Sequence, residues 1–521
     1  MKGKISKMKN MEDELVLPIT TVEAIYMEDG KTLNDEINDI NSSLDNIEDE
    51  KATRQEVDVE RKRIDNIDSS LDNNMQKVNS IIIERPMQYI PKEKLEKVRN
   101  KVNPPNEFTW IDAPINIYRN GLGDLSTDLD VSKFQHNKNG KIYYVNLNTG
   151  NDNNDGLTVE TPLKSVHVAR TKPDVEIIEI SEGFYDDMYA FNSDSTGVAG
   201  YKNLTLRAKE GDNVILSTRR KLSWTKTDGK NYVYQSNRTR VGSVWDSLNL
   251  DKNGDYSKLN RVSSIEECDL KENTYYYDDA TIYIHPLKNR VADDNIVVFL
   301  SLTNFKNLGN YTVFARNIKF YGGGGDNTKG ACHIENIEDN SNPLFVAENC
   351  EFKYTDNGSG GLAILGADSI LKSCIASCNF ADGFNYHRGW GRIAKAIEVD
   401  CIGRSNGIGR GTNTDNGSTM HDGGKIIRVN CEYYENEGPN CHDVTEGSES
   451  WNIGVNSHNS NATLEARNSN YNIEGGKMWL DGCVGYDSFR KYTVTSTGSL
   501  YLRNSVFGDG EEYVTGVKQQ Y

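Results

Sequence analysis

Between residues 33 and 81 the apolar positions follow a helical seam. Leu33, Ile37, Ile40, Leu44 and Ile47 recur at intervals of 4, 3, 4 and 3, the a/d spacing of a coiled coil. Lys51 and Arg54 then occupy seam positions, and the register slips by one residue before Val57. Ile64, Ile67, Leu71, Val78 and Ile81 resume the pattern. A helix with such a seam cannot bury it alone, and isoleucine at both a and d shifts preference from dimers towards trimers. The spacing therefore predicts a trimeric α-helical coiled coil over 33–85. A solitary amphipathic helix folded back on the chain is the alternative, which the densely charged outer face disfavours. Pro86, Pro91, Pro104, Pro105 and Pro114 punctuate a connector over 86–140.

From residue 141 the period changes to two. "IYYVNLN" alternates as a strand does, and "EIIEISEGFYDD" and "YKNLTLRAKEGDNVIL" continue in the same manner. "KLSWTKTDGKNYVYQS" and "ENTYYYDDATIYIHPL" break the rhythm and predict a β-rich insertion over about 218–300. Beyond it a repeat emerges. Short strand-like runs end at Cys350, Cys374, Cys401, Cys431, Ser457, Cys483 and Ser505, at intervals of 24, 27, 30, 26, 26 and 22 residues. This is the period of one coil of a parallel β-helix, with small residues stacked at a tight interior corner. The expected fold class is mainly β: a right-handed parallel β-helix over 141–521, preceded by the coiled coil.

Composition agrees with this reading. The chain has 521 residues, too many for one compact core, yet only 36% are hydrophobic and 45 are glycine. Elongated repeats with many turns need less apolar content than a globule. A net charge of −18 argues against nucleic acid as a partner. No stretch approaches a membrane span, and the basic start "MKGKISKMKNMEDELVLP" has no apolar run behind it, so a soluble chain made in a cytoplasm is expected. Nine cysteines, an odd number, do not suggest a disulfide framework.

Two stretches carry metal-ligand chemistry. Cys431, Cys441, His421 and His442 have zinc-ligand chemistry, but stacked coils set them on successive turns instead of converging them tetrahedrally. Asn151, Asn153, Asp155 and Gly156 approach a calcium loop, yet Pro162 stands where the bidentate glutamate belongs. Neither metal nor cofactor is expected.

Aligning coils on the corner residue gathers the remaining chemistry. "ADGFNYHRGW" supplies Asp382, Tyr386, His387, Arg388 and Trp390; "GRGTNTDNG" supplies Arg410 and Asp415. "HDGG" supplies His421 and Asp422, and "GPNCHDVTEG" supplies Asn440, His442, Asp443 and Glu446, with Trp451 just beyond. Asp382, His387, Asp415, His421, Asp422, His442, Asp443 and Glu446 are the catalytic candidates. Paired carboxylates suit glycosidic hydrolysis, and histidine with arginine suits β-elimination. Tyr386, Arg388, Trp390, Arg410, Asn440 and Trp451 are the glycan-binding candidates, the aromatics because they offer flat faces to sugar rings. The competing reading is that the aspartates and asparagines are ordinary turn formers.

Three stretches carry a family resemblance. "ELVLPITTVEAIYMEDGKTLNDEI" resembles the N-terminal attachment regions of phage tail fibre and baseplate proteins, which makes 1–32 the expected attachment segment. "KIYYVNLNTGNDNNDGLTVETPLKSV" resembles the first coil of right-handed parallel β-helix proteins of the pectate-lyase-like superfamily. "DGFNYH", "HDGGKIIRVN" and "GPNCHDV" look like segments that recur in phage β-helix tail proteins. The resemblance implies a phage tailspike or tail fibre receptor-binding protein. Such a protein is a homotrimer in the virion tail, joined by its N-terminus to baseplate or tail proteins. It recognises a host wall teichoic acid, capsule or exopolysaccharide, with degradation of that glycan left open. A purely structural fibre and a cellular glycan lyase or hydrolase are the alternatives.

Overall fold

The computed structural model describes residues 62, 92–186, 202–324, 330–356 and 360–521. The expected attachment segment over 1–32 lies outside these residues, and so does the expected coiled coil over 33–85 except for Lys62. The chain divides into two units, one reaching to Val102 and including Asn116–Thr127, the other Asn103–Ile115 with Asp128–Tyr521. In the first, strand Ile117–Arg119 pairs antiparallel with both Asn100–Val102 and Leu125–Thr127.

The second unit is a parallel β-helix. Three parallel sheets form its walls: twelve strands from Ile142–Val145 to Val517–Gln520, ten from Gly183–Tyr185 to Val506–Phe507, and nine from Phe305–Leu308 to Glu511–Val514. Each full coil visits the first wall, then the second, then the third. Alternate residues point into a continuous apolar interior.

The corners explain the residues that mark the repeat. Between the first and second walls a single residue reverses the chain with φ between 51° and 63°: Asn317, Asn349, Ser373, Asp400, Asn430, Gly454, Gly482 and Asn504. Asparagine and glycine tolerate this left-handed backbone best. The next residue faces inwards, giving the column Ile318, Cys350, Cys374, Cys401, Cys431, Val455, Cys483 and Ser505. The expected rung at Ser457 is therefore corrected. The Asn456 N–H donates to the Cys431 carbonyl at 2.9 Å, which puts Val455 in the column and Ser457 opposite Tyr433. All nine cysteines are free and buried.

The corner after the second wall carries a polar ladder. Asn379, Asn406, Asn436 and Asn440 are fully buried, and each of the first three donates Nδ2 to the next Oδ1 at 2.9 Å. Asn440 ends the ladder on the His458 carbonyl at 2.7 Å.

Between Val214–Ser217 and Phe305–Leu308 the chain leaves the helix to form two mostly antiparallel sheets over 219–300, with their own core around Val244, Tyr275, Ile284 and Val298. This insertion is fastened to the outward side of the second wall. Buried Asp255 accepts Lys353 Nζ at 2.8 Å and Arg404 at 2.5 Å, and Tyr256 stacks on Tyr354 at 4.9 Å.

The outward side of the first wall is covered by the segment Asn103–Ile115. Phe108 wedges between Trp451 and Trp479, with ring centroids 6.2 and 5.9 Å away. Thr109 donates its N–H and hydroxyl to Glu449 at 2.8 Å, and Lys477 pairs with Glu107 at 2.6 Å.

Candidate functional site

The candidate residues gather on the third wall, where odd–even alternation sorts them. In Phe384–His387, Phe384 and Tyr386 point inwards while Asn385 and His387 point outwards. The register carries this across the wall. Asn385, Thr419, His442 and Asn472 form one outward column, and Tyr386, Met420, Asp443 and Ile473 form an inward one.

This geometry corrects several expectations. Tyr386 and Asp443 lie in the lumen, so neither meets a glycan. The Tyr386 and Ser418 hydroxyls donate to Glu398 at 2.8 Å, and the Tyr433 hydroxyl donates at 2.6 Å. Arg428, also fully buried, donates to Ser418 Oγ at 2.9 Å, to Asn452 at 3.2 Å and to Asp443 at 3.3 Å. Ser450 donates to the other Asp443 oxygen. Burial raises the pKa of both carboxyls, and Arg428 pulls both back down. Asn440 is withdrawn from the glycan set as an end member of the interior ladder. Trp451 is withdrawn because Phe108 and its neighbours bury it.

The outward candidates fall into two groups. In the first, the His387 and His421 rings stack at 4.0 Å, and His387 Nδ1 lies 3.2 Å from Asp422 Oδ2. The Arg388 N–H donates to the same oxygen at 3.1 Å. Burial opposes the Asp422 charge, but Arg388 and His387 outweigh it and hold the carboxyl below its usual range. Burial, then the neighbouring histidines, push His421 down to about 3. His442, 5% exposed, is likewise pushed down to about 3 by burial and then by Arg467 and Arg428.

Beside this group stands a tight hairpin. Gly389 and Arg392 exchange backbone hydrogen bonds at 3.0 Å, and Trp390 and Gly391 between them have φ of 47° and 73°. Positive φ at both central residues is the type I′ condition. A tryptophan there costs about 1 kcal/mol in backbone strain, yet it stands at the tip with 60% of its surface exposed. Glu446 is exposed on the turn two coils further along.

The second group comes from the corners entering the third wall. Asp382, 7% exposed, accepts the Asn416 N–H at 2.8 Å and Asn416 Nδ2 at 3.1 Å. Burial is the main cause raising its carboxyl to about 7, with Asp415 adding to it. Asp415 is fully buried, pairs with exposed Arg410 and accepts the Thr412 hydroxyl at 2.9 Å. Burial raises its pKa and Arg410 lowers it. The loop holding these residues is pinned twice. Lys258 of the insertion donates to the Ile408 carbonyl at 2.9 Å, and Asn413 accepts the Thr463 hydroxyl at 2.9 Å.

Among the described residues, the only metal-compatible cluster is Asp251, Asp255 and Cys378, whose central carboxylate is already taken by Lys353 and Arg404. The column members Thr419 and Asn472, and Asn416 on Asp382, escaped the sequence reading, because alignment on the corner alone does not say which residues of the third wall face outwards.

No protein-family model matches the chain, and no curated protein matches it. Solved structures similar to it include pectate lyase Pel9A, 13% identical over 72% of this chain and 78% of that one, with a TM-score of 0.39. The GH136 lacto-N-biosidase from Eubacterium ramulus is 10% identical over 75% and 69%, TM-score 0.37. The Siphovirus 9NA tailspike receptor binding domain is 13% identical over 68% and 74%, TM-score 0.23. At these TM-scores the likeness carries no argument, and the parallel β-helix stands on its own strand register.

Proposed function

We propose that this chain is a phage tail spike or tail fibre whose β-helix recognises a polysaccharide on the host cell surface along the outward side of the third wall. The observation that carries the binding reading is the column Asn385, Thr419, His442 and Asn472, flanked by the displayed Trp390. Polar side chains at successive rungs repeat every ~4.8 Å along the axis, a spacing suited to a periodic polymer; Asn385 is half-buried, and Thr419, His442 and Asn472 are buried. Trp390 adds an aromatic face for a sugar ring. The phage and trimer assignments rest on the coiled-coil spacing and on the sequence resemblance.

Cleavage is a second reading, favoured by the carboxyl group of Asp382. Held to about 7, it retains a proton near neutrality as a general acid requires, while Arg410 beside Asp415 offsets part of the burial that raises that second carboxyl.

Binding of the purified full-length protein to host cells, compared with the same cells stripped of surface polysaccharide, tests recognition. Equal binding to both would refute it. Reducing-end and unsaturated-product assays on a polysaccharide that binds test cleavage, and no product from a bound polymer would remove that reading. Light scattering that returns a monomer would sink the trimeric spike.

A further inference from the structure

The polar atoms of the third wall also bear on the class of glycan. Asn416 Oδ1, His442 Nδ1 and Asn472 Oδ1 are buried without a hydrogen-bond partner, and so is Asn385 Oδ1. Leaving such a group unpaired costs about 1–3 kcal/mol, so a cluster of them on one face marks a place where a ligand completes the bonding. Their polarity is set by their neighbours. Asn416 gives Nδ2 to Asp382, and Asn472 gives Nδ2 to Glu474 at 3.3 Å, which turns both Oδ1 atoms into the open acceptors. Asn472 Nδ2 also lies 3.3 Å from His442 Nε2, which must accept, so the proton of the neutral ring sits on Nδ1. On successive coils the open atoms of Asn385, Asn416, His442 and Asn472 thus read acceptor, acceptor, donor, acceptor, and the last three form an acceptor–donor–acceptor row.

Three arginines on the same face are matched by carboxylates, in a chain whose net charge is −18. Arg392 pairs with Asp368 at 2.8 Å, Arg410 with Asp415, and Arg467 with Glu474. Arg388 is exposed and its side chain donates to the Asp422 backbone carbonyl at 3.4 Å, beside the carboxylate that His387 engages. His421 and His442, held down to about 3, add no positive charge near neutrality. A polyanion wants arginine or lysine with its charge uncommitted.

We infer that the third wall takes an uncharged glycan, rich in hydroxyl and acetamido groups, and not a uronate or phosphate polymer. A hydroxyl both donates and accepts, and an acetamido group offers one of each, so either completes an acceptor–donor–acceptor row. The inference rests on the proposed glycan-binding role and narrows it, setting teichoic acid and acidic capsules aside.

The test uses the full-length protein on an array printed with chitohexaose, cellohexaose, mannohexaose, hexagalacturonate, a hyaluronan hexamer and poly(glycerol phosphate), read at low and high salt. The expected result is binding to a neutral probe that changes by less than about threefold with salt. Asn385→Ala, at a half-buried side chain, should weaken it by about three- to tenfold, the loss of one hydrogen bond. Trp390→Gly, which relieves a strained backbone, should weaken it without unfolding the protein. Binding confined to the anionic probes and suppressed by salt overturns the neutral class while leaving glycan recognition standing. Binding to no probe overturns both. Neutral binding that neither variant alters overturns the placement on the third wall.

Discussion

Replacing Arg428 by methionine would remove the single cation from a lumen network that holds two carboxylates. Glu398, Arg428 and Asp443 are fully buried, joined through Ser418, which donates to Glu398 and accepts from Arg428. Taking one partner from a buried ion pair costs about 3–5 kcal/mol, because the other charge stays behind uncompensated. The loss should depend on pH. Both carboxyls have folded-state pKa values above their unfolded ones, with burial the leading cause. An acid raised in this way stabilises the fold while protonated; that contribution is fully present below its unfolded pKa and is lost as pH rises through the folded one. Without Arg428 both values rise further, so more stability is lost above the unfolded pKa of about 4. The defect should be near 3–5 kcal/mol at about pH 8 and smaller by about 2 kcal/mol at about pH 5. Urea unfolding followed by circular dichroism at the two pH values reads this out. A cost under about 1 kcal/mol at both, or a larger cost at the lower pH, would refute the reasoning. The triple replacement Glu398→Met, Arg428→Leu, Asp443→Leu should recover most of the loss, since a packed apolar core can substitute for a buried ion network.

Asp382→Asn should flatten the fall in stability between about pH 4 and pH 7, since the raised carboxyl is the group that loses its proton there; an unchanged slope would argue against its burial. Phe108→Ala should cost about 3–4 kcal/mol and expose 103–115 to protease, because it empties the wedge between Trp451 and Trp479; unaltered proteolysis would contradict the packing. All nine cysteines should resist a thiol reagent in the native protein and react after denaturation, since they are buried and burial pushes Cys483 up to about 12 and Cys268 to about 11. Rapid native labelling of any of them would break the interior-corner account.

The coil repeat was legible in the sequence because its causes are local. A left-handed corner selects asparagine or glycine, the next position selects a small interior residue, and strands alternate with period two. The strand-rich break over 219–300 was legible for the same reason. Register was less so. Val455 fills the rung expected of Ser457, because Gly454 takes the corner conformation that Asn430 takes one coil earlier. Once a corner glycine and a valine stand in for asparagine and cysteine, a pattern read from residue types slips by two.

The candidate site shows the same division more sharply. The sequence by itself placed histidines and carboxylates on adjacent coils, since a fixed period is enough to make neighbours of distant residues. Only the tertiary structure decided which way each one points. Two neighbours in one strand, His442 and Asp443, end on opposite sides of the third wall, one against Asn472 and the other against Arg428 in the lumen. Trp451 became interior because a segment more than 300 residues earlier covers it, a contact no local pattern encodes. The Glu398–Arg428 network likewise joins residues that in sequence read as plain strand wall, because pairing across a lumen depends on which coils stack.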